Sequence, residues 1–161
     1  MSMPFNADEV FEMAEQIERN GAGFYRAAAE KFPQVSQLLL ELASMEDNHE
    51  KTFAGMRSEL SGTEAEPLVF DPDDQAKLYL QAMADEHIFN IKSNPVNQLG
   101  DLDSPDEVLK TAMGLERDSI AFYTGLKESV SRRAGKDKVE GIIKEEMNHI
   151  AILSQKMEDL K

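Results

Sequence analysis

Glu18-Arg19-x4-Phe24-Tyr25 returns ninety-eight residues later as Glu116-Arg117-x4-Phe122-Tyr123, and Glu46-x-Asn48-His49 returns one hundred residues later as Glu146-x-Asn148-His149. A chain that carries one helical pair twice is restricted to folds in which the copies close on each other, because two helices alone bury only one face. The repeat reaches into apolar positions: Ala14, Ile17, Leu39, Leu42, Phe53 and Leu60 match Ala112, Leu115, Val139, Ile142, Leu153 and Leu160 at the same offsets. Two related hairpins forming one bundle are therefore expected.

The 161 residues suffice for a single domain with a real core, and a hydrophobic content of 41% supports burial over disorder. No cysteine is present, which excludes disulfides, iron–sulfur clusters, zinc ribbons and thiolate nucleophiles. The formal charge of −14 should repel phosphate backbones and attract cations, so nucleic acid is not expected as a partner. The first residues carry neither a basic nor an apolar leader region, and no apolar run reaches the roughly 18 residues of a membrane span. A cytoplasmic protein with no membrane partner is expected.

Apolar residues recur at helical spacing through four long segments, which predicts an all-α chain. The first helix opens with Asn6 as N-cap and Glu9 at the third position, and its stripe runs Val10, Ala14, Ile17, Gly21, Tyr25, Ala28. Pro33 breaks the chain after Phe32. The second helix carries Val35, Leu38, Leu39, Leu42, Met45, Phe53, Met56 and Leu60 on one side and ends at Ser61-Gly62-Thr63. The third starts at Ser104 with Pro105 and Glu107 completing a capping box. The fourth follows the turn Ser131–Gly135 and shows Val139, Ile142, Ile143, Leu153, Met157 and Leu160. The expected organisation is one domain over 1–161: a hairpin at 7–60, a crossover at 61–103 and a hairpin at 104–160. The crossover is far longer than usual bundle connections and reads as containing a short helix at about Asp73 to Asn90.

Within each apolar side sit a glutamate and a histidine three residues apart, Glu46/His49 and Glu146/His149. On a helix such residues point the same way, about 60° and about 4.5 Å apart, so one ion is within reach of both. A glutamate can bridge two ions while the imidazole binds one; the solitary Glu18 and Glu116 then cap one ion each. Four carboxylates balance two divalent ions, and without metal the same groups repel one another. A Glu from each of two helices plus Glu-x-x-His from each of the others is the donor layout of di-iron and di-manganese carboxylate bundles. Mixed carboxylate and imidazole ligation points to two iron ions, with manganese or zinc able to occupy the same groups.

Through these four ligand segments the chain resembles the rubrerythrin branch of the ferritin-like superfamily. The resemblance implies a ferritin-like four-helix bundle and a non-haem di-iron site reacting with peroxide or dioxygen, with Glu18, Glu46, His49, Glu116, Glu146 and His149 as ligands. Rubrerythrins proper add a rubredoxin-like domain with paired cysteines; none are present here, so an external electron-donor protein is expected. The family pattern also has a further glutamate one turn after the third-helix ligand, where this chain has Ser119, which removes the residue credited with redox-linked ligand exchange.

Tyr25 and Tyr123 lie two turns after Glu18 and Glu116 and can place their hydroxyls on a carboxylate of a facing helix. Gly21 and Ser119 are matched small residues that either leave room for an exogenous ligand or permit close helix packing, and packing is the preferred reading. His87 beside Asp85 and Glu86 reads as a surface histidine. Asn48 and Asn148 are rotated about 100° from the site, and Asp47, Glu50 and Glu145 are assigned to the charged outer face. The leading expectation is a homodimeric oxidoreductase that reduces hydrogen peroxide. Iron handling of the ferroxidase kind and a metal-bearing structural module without turnover are the alternatives; the absence of a fifth helix after the fourth argues against a ferritin cage.

Overall fold

The structure, a computed structural model, describes residues 6–60, 75, 78–83 and 94–161. Four long helices dominate it: α1 (Ala7–Lys31), α2 (Ser36–Ser58), α3 (Pro105–Ser129) and α4 (Lys136–Asp159). Among the described residues they form an all-helical, ferritin-like bundle made of two hairpins, α1/α2 and α3/α4. Helices within a hairpin pack closely along their length, whereas α1 meets α3 and α2 meets α4 over shorter contacts.

Local chemistry sets the helix ends. The Asn6 side chain accepts the Glu9 N–H at 2.8 Å while the Glu9 carboxylate accepts the Asn6 N–H at 3.0 Å, so two orphan donors of the first turn are satisfied reciprocally. Pro33 cannot continue α1, and a short 3-10 turn, Pro33–Val35, reverses the chain into α2. At the start of α3 the Ser104 hydroxyl accepts the Glu107 N–H at 3.3 Å, but the Glu107 carboxylate reaches past Ser104 to the Asp103 N–H at 2.6 Å. The α3/α4 turn depends on Gly135, whose φ of +115° is disfavoured for residues with a side chain.

The second helix ends at Ser58, before the expected Ser61-Gly62-Thr63, which lies outside the described residues. Of the short connecting helix, residue 75 and residues 78–83 are described and helical; His87, Asp85 and Glu86 lie outside them. Leu80 from this segment is buried in the same apolar cluster as Phe11, Phe122 and Leu126, and the Tyr79 hydroxyl donates to the Ala121 carbonyl at 2.7 Å. A second 3-10 segment, Pro95–Asp101, leads into α3. The Lys31 ammonium anchors it by donating to the carbonyls of Leu99 and Leu102 at 2.5 and 2.7 Å. Among the described residues, no helix is long and apolar enough to cross a membrane.

The core is divided. One apolar cluster gathers Phe11, Phe53, Phe122, Leu126 and Val139; another gathers Phe24, Leu39, Leu42, Leu109 and Leu153. Each fully buried side chain of this size contributes about 1.5–3 kcal/mol, and together they support a layer of buried charged groups between them. Two positions expected on the apolar sides are exposed instead: Leu160, past the end of α4, and Met45 on α2.

Candidate metal centre

Glu18 on α1, Glu46 and His49 on α2, Glu116 on α3, and Glu146 and His149 on α4 are all buried, none more than 4% exposed. The helical spacing of three residues aims each Glu-x-x-His inward. Hairpin closure then brings the two pairs face to face, with the imidazole rings nearly parallel at 5.6 Å between centroids.

The histidines present Nδ1 to the carboxylates. His49 Nδ1 lies 3.5 Å from Glu18 Oε2, 3.4 Å from Glu46 Oε2 and 3.2 Å from Glu146 Oε1. His149 Nδ1 lies 3.4 Å from Glu116 Oε1, 3.2 Å from Glu46 Oε1 and 3.0 Å from Glu146 Oε2. Glu46 and Glu146 thus turn one oxygen toward each histidine, the arrangement a carboxylate needs to span two ions. Two overlapping donor groups result, Glu18/Glu46/His49/Glu146 and Glu46/Glu116/Glu146/His149, the ligand atoms of each lying within 4.8 Å of one another.

This donor set fits a pair of divalent cations better than it fits a hydrogen-bond network. Glu46 Oε1, Glu146 Oε2 and His149 Nδ1 are buried without a hydrogen-bond partner among the described residues, although they approach each other to 3.0–3.2 Å. Buried polar atoms left in that state are costly unless something else satisfies them. An ion among them would do so.

The electrostatics carry the same signature. Burial, then the charge of Glu46, pushes the Glu18 carboxyl well above its usual range; burial, then Glu18 and Glu116, does the same to Glu146. Burial opposes charge on His149, but the close carboxylates of Glu116, Glu146 and Glu46 outweigh it and push the imidazole up to about 12. His49 moves the same way through Glu146, Glu18 and Glu46. For Glu116, the proximity of His149 and Glu146 outweighs the effect of burial and holds its carboxyl below the usual range. Without metal, the cluster retains protons as its counter-cations.

The tyrosines cross between hairpins. Tyr25 on α1 donates its hydroxyl to Glu116 on α3, and Tyr123 on α3 donates to Glu18 on α1. Burial, followed by the surrounding carboxylates, raises both phenols well above their ordinary value, so they remain donors.

Gly21 and Ser119, for which the sequence favours packing over room for an exogenous ligand, border a cavity of about 60 Å³ together with Tyr25, Glu18, Glu46 and Glu116. That space holds a few small molecules at most. A Cβ on Gly21 would stand 3.7 Å from Glu46 Cγ, so a larger side chain there would enter it. Neither histidine borders the cavity.

Asp47 and Glu50 pair with Arg26 and Arg19 on the outer face, and Asn48 and Asn148 are exposed. Glu145 differs from the outer-face expectation. Its side chain is 65% exposed, yet its carboxylate reaches across to Nε2 of His49. Met45 takes the matching place behind His149, its Sδ 3.2 Å from Nε2. Sequence spacing alone misses both contacts because they depend on how α2 faces α4.

The Rubrerythrin family profile matches residues 9–99, more than half of the chain, including Glu18, Glu46 and His49. Glu116, Glu146 and His149 lie beyond that match and are placed by the internal repeat and the geometry. No curated protein matches the chain. The crystal structure of a candidate ferritin-like diiron-carboxylate protein from Thermotoga maritima superposes with a TM-score of 0.69 over 100% of both chains, at 22% identity. That likeness concerns the fold.

Proposed function

The chain belongs to the rubrerythrin family, and on that premise we propose that it is a non-haem di-iron oxidoreductase that reduces hydrogen peroxide, or dioxygen, with electrons from an external donor protein. The observation that carries this reading is the pair of donor groups sharing Glu46 and Glu146. Glu18 with His49, and Glu116 with His149, would each hold one iron, and the two shared glutamates would bridge them. Bound there, a pair of ferrous ions supplies two electrons for cleavage of an oxygen–oxygen bond.

The remaining work belongs to the protein's own groups. The cavity at Gly21 and Ser119 offers space for an oxidant of a few atoms beside Glu18 and Glu116. Tyr25 and Tyr123 fix the terminal carboxylates crosswise, and Tyr25 holds its proton at the cavity wall. The 161 residues contain no cysteine to hold a rubredoxin-type iron, which supports an external source of electrons. A homodimer accords with exposed Leu40 on α2 and Met147 on α4.

Anaerobic loading with ferrous iron tests the reading. Two irons per chain are expected, with visible absorption of the oxidised pair that bleaches on reduction and returns on adding peroxide. Glu46→Ala and Glu146→Ala should each abolish peroxide turnover while far-ultraviolet circular dichroism keeps its helical signal. Peroxidase activity surviving in both variants would falsify the assignment. Stoichiometric zinc that is insensitive to reductant would replace it with an inert module, and a many-subunit shell accumulating iron would replace it with iron handling.

A further inference from the structure

Among the described residues, the hydrogen bonds and donor groups of the cluster follow the internal repeat in several places. Tyr25 to Glu116 mirrors Tyr123 to Glu18, and Glu46/His49 mirrors Glu146/His149. Behind the histidines the mirror fails: at matched positions, each one residue before a shared glutamate, stand Glu145 and Met45. Glu145 on α4 meets Nε2 of His49 on α2, whereas Met45 on α2 meets Nε2 of His149 on α4.

We propose that this asymmetry makes the two ion positions unequal, so that the position served by Glu18 and His49 binds a divalent cation more tightly and fills first. The inference rests on the metal-pair reading above and adds Glu145 as a positioning residue acting through His49. Both rings aim Nδ1 at the carboxylates, so an ion held at Nδ1 leaves the ring proton on Nε2. At His49 that N–H donates to a carboxylate, a charge-assisted bond that fixes the ring and raises its basicity as a ligand. At His149 it faces a thioether, a weak acceptor that does little of either. Loss of such an outer partner lowers metal affinity by about 10–100-fold. At one equivalent of iron, the chain would therefore be half-loaded at a defined position.

Glu145 and Met45 are both exposed enough to exchange without disturbing the core. The metal-free full-length chain is titrated anaerobically with Co2+, following absorption and heat. Wild type should bind two ions in steps separated by about 10-fold or more. Glu145→Met should weaken the tighter step by about 10–100-fold and merge the two, with Glu145→Gln falling between. Met45→Glu should strengthen the weaker step, a gain that general structural damage would not produce. Two equal steps in wild type, or steps unmoved by Glu145→Met and Met45→Glu, overturn the proposal while leaving the metal pair intact. A wild-type chain binding fewer than two ions overturns the metal-pair reading itself, and this proposal with it.

Discussion

Tyr123 and Glu18 are 105 positions apart in the chain and share one hydrogen bond in the buried layer. Tyr123→Phe removes the donor, keeps the ring against Phe53, and leaves a buried carboxylate oxygen without that partner. The expected cost to the metal-free protein is about 1–3 kcal/mol, read from the midpoint of urea unfolding. Tyr25→Phe should behave alike through Glu116, and the double variant should be non-additive because both bonds belong to one network. An unchanged midpoint in either single variant would show that the bonds carry no net stability. At this scale the six clustered glutamates and histidines were legible from their repeated spacing. Glu145 was not: its position beside Glu146 reads as outer face, and only the approach of α2 to α4 turns its carboxylate toward His49.

Helix ends and turns show where local chemistry decides and where it does not. Asn6 with Glu9, and Pro33 after Phe32, act within a few residues, so α1 begins and ends where the sequence implies. At Ser104 only half of the expected box forms, because the Glu107 carboxylate finds the Asp103 N–H instead. The turn into α4 depends on long-range packing as well as on backbone freedom. A Cβ at Gly135 would be strained at φ +115° and would lie 2.5 Å from Met56 Cε of the other hairpin. Gly135→Ala should cost about 1–3 kcal/mol. Adding Met56→Ala should relieve the collision and leave the backbone strain, so a double-mutant cycle of unfolding midpoints separates the two. If coupling between the sites is absent, the collision is not a source of the cost.

For the molecule as a whole, the buried layer makes metal-free stability depend on pH in a direction opposite to that of the loaded protein. His149 ordinarily loses its proton near 6.5 but holds it in the fold to about 12. Its contribution is fully present below 6.5 and is lost as pH rises toward the folded value. Glu18 and Glu146, raised above 4.5, act in the same sense, their contribution falling as pH rises from 4.5. Glu116, held below 4.5, opposes them only in acid, where its contribution is lost as pH falls through its folded value. Chelator-treated protein should therefore unfold at lower urea at pH 8 than at pH 6, with a slope of at most about 1.4 kcal/mol per pH unit for each retained proton. Divalent cation should reverse that trend, because ligands must release protons to bind it and affinity rises with pH. Metal-free protein that is more stable at pH 8 than at pH 6 would contradict the charge balance described for the cluster.

The duplicated motif by itself determined the helical class, the pairing into hairpins and the six residues that meet, because helical periodicity fixes which side chains share a face and repetition fixes the symmetry. Met45 and Leu160 escaped that logic, since periodicity predicts a face and not how much of it a partner covers. Only the tertiary structure decided the crosswise tyrosines, the orientation of Nδ1 toward the carboxylates, the cavity beside Gly21 and Ser119, and the unequal partners behind the two histidines. Each of these depends on the offset and rotation of one helix against another, which packing of the whole core sets and no local spacing encodes.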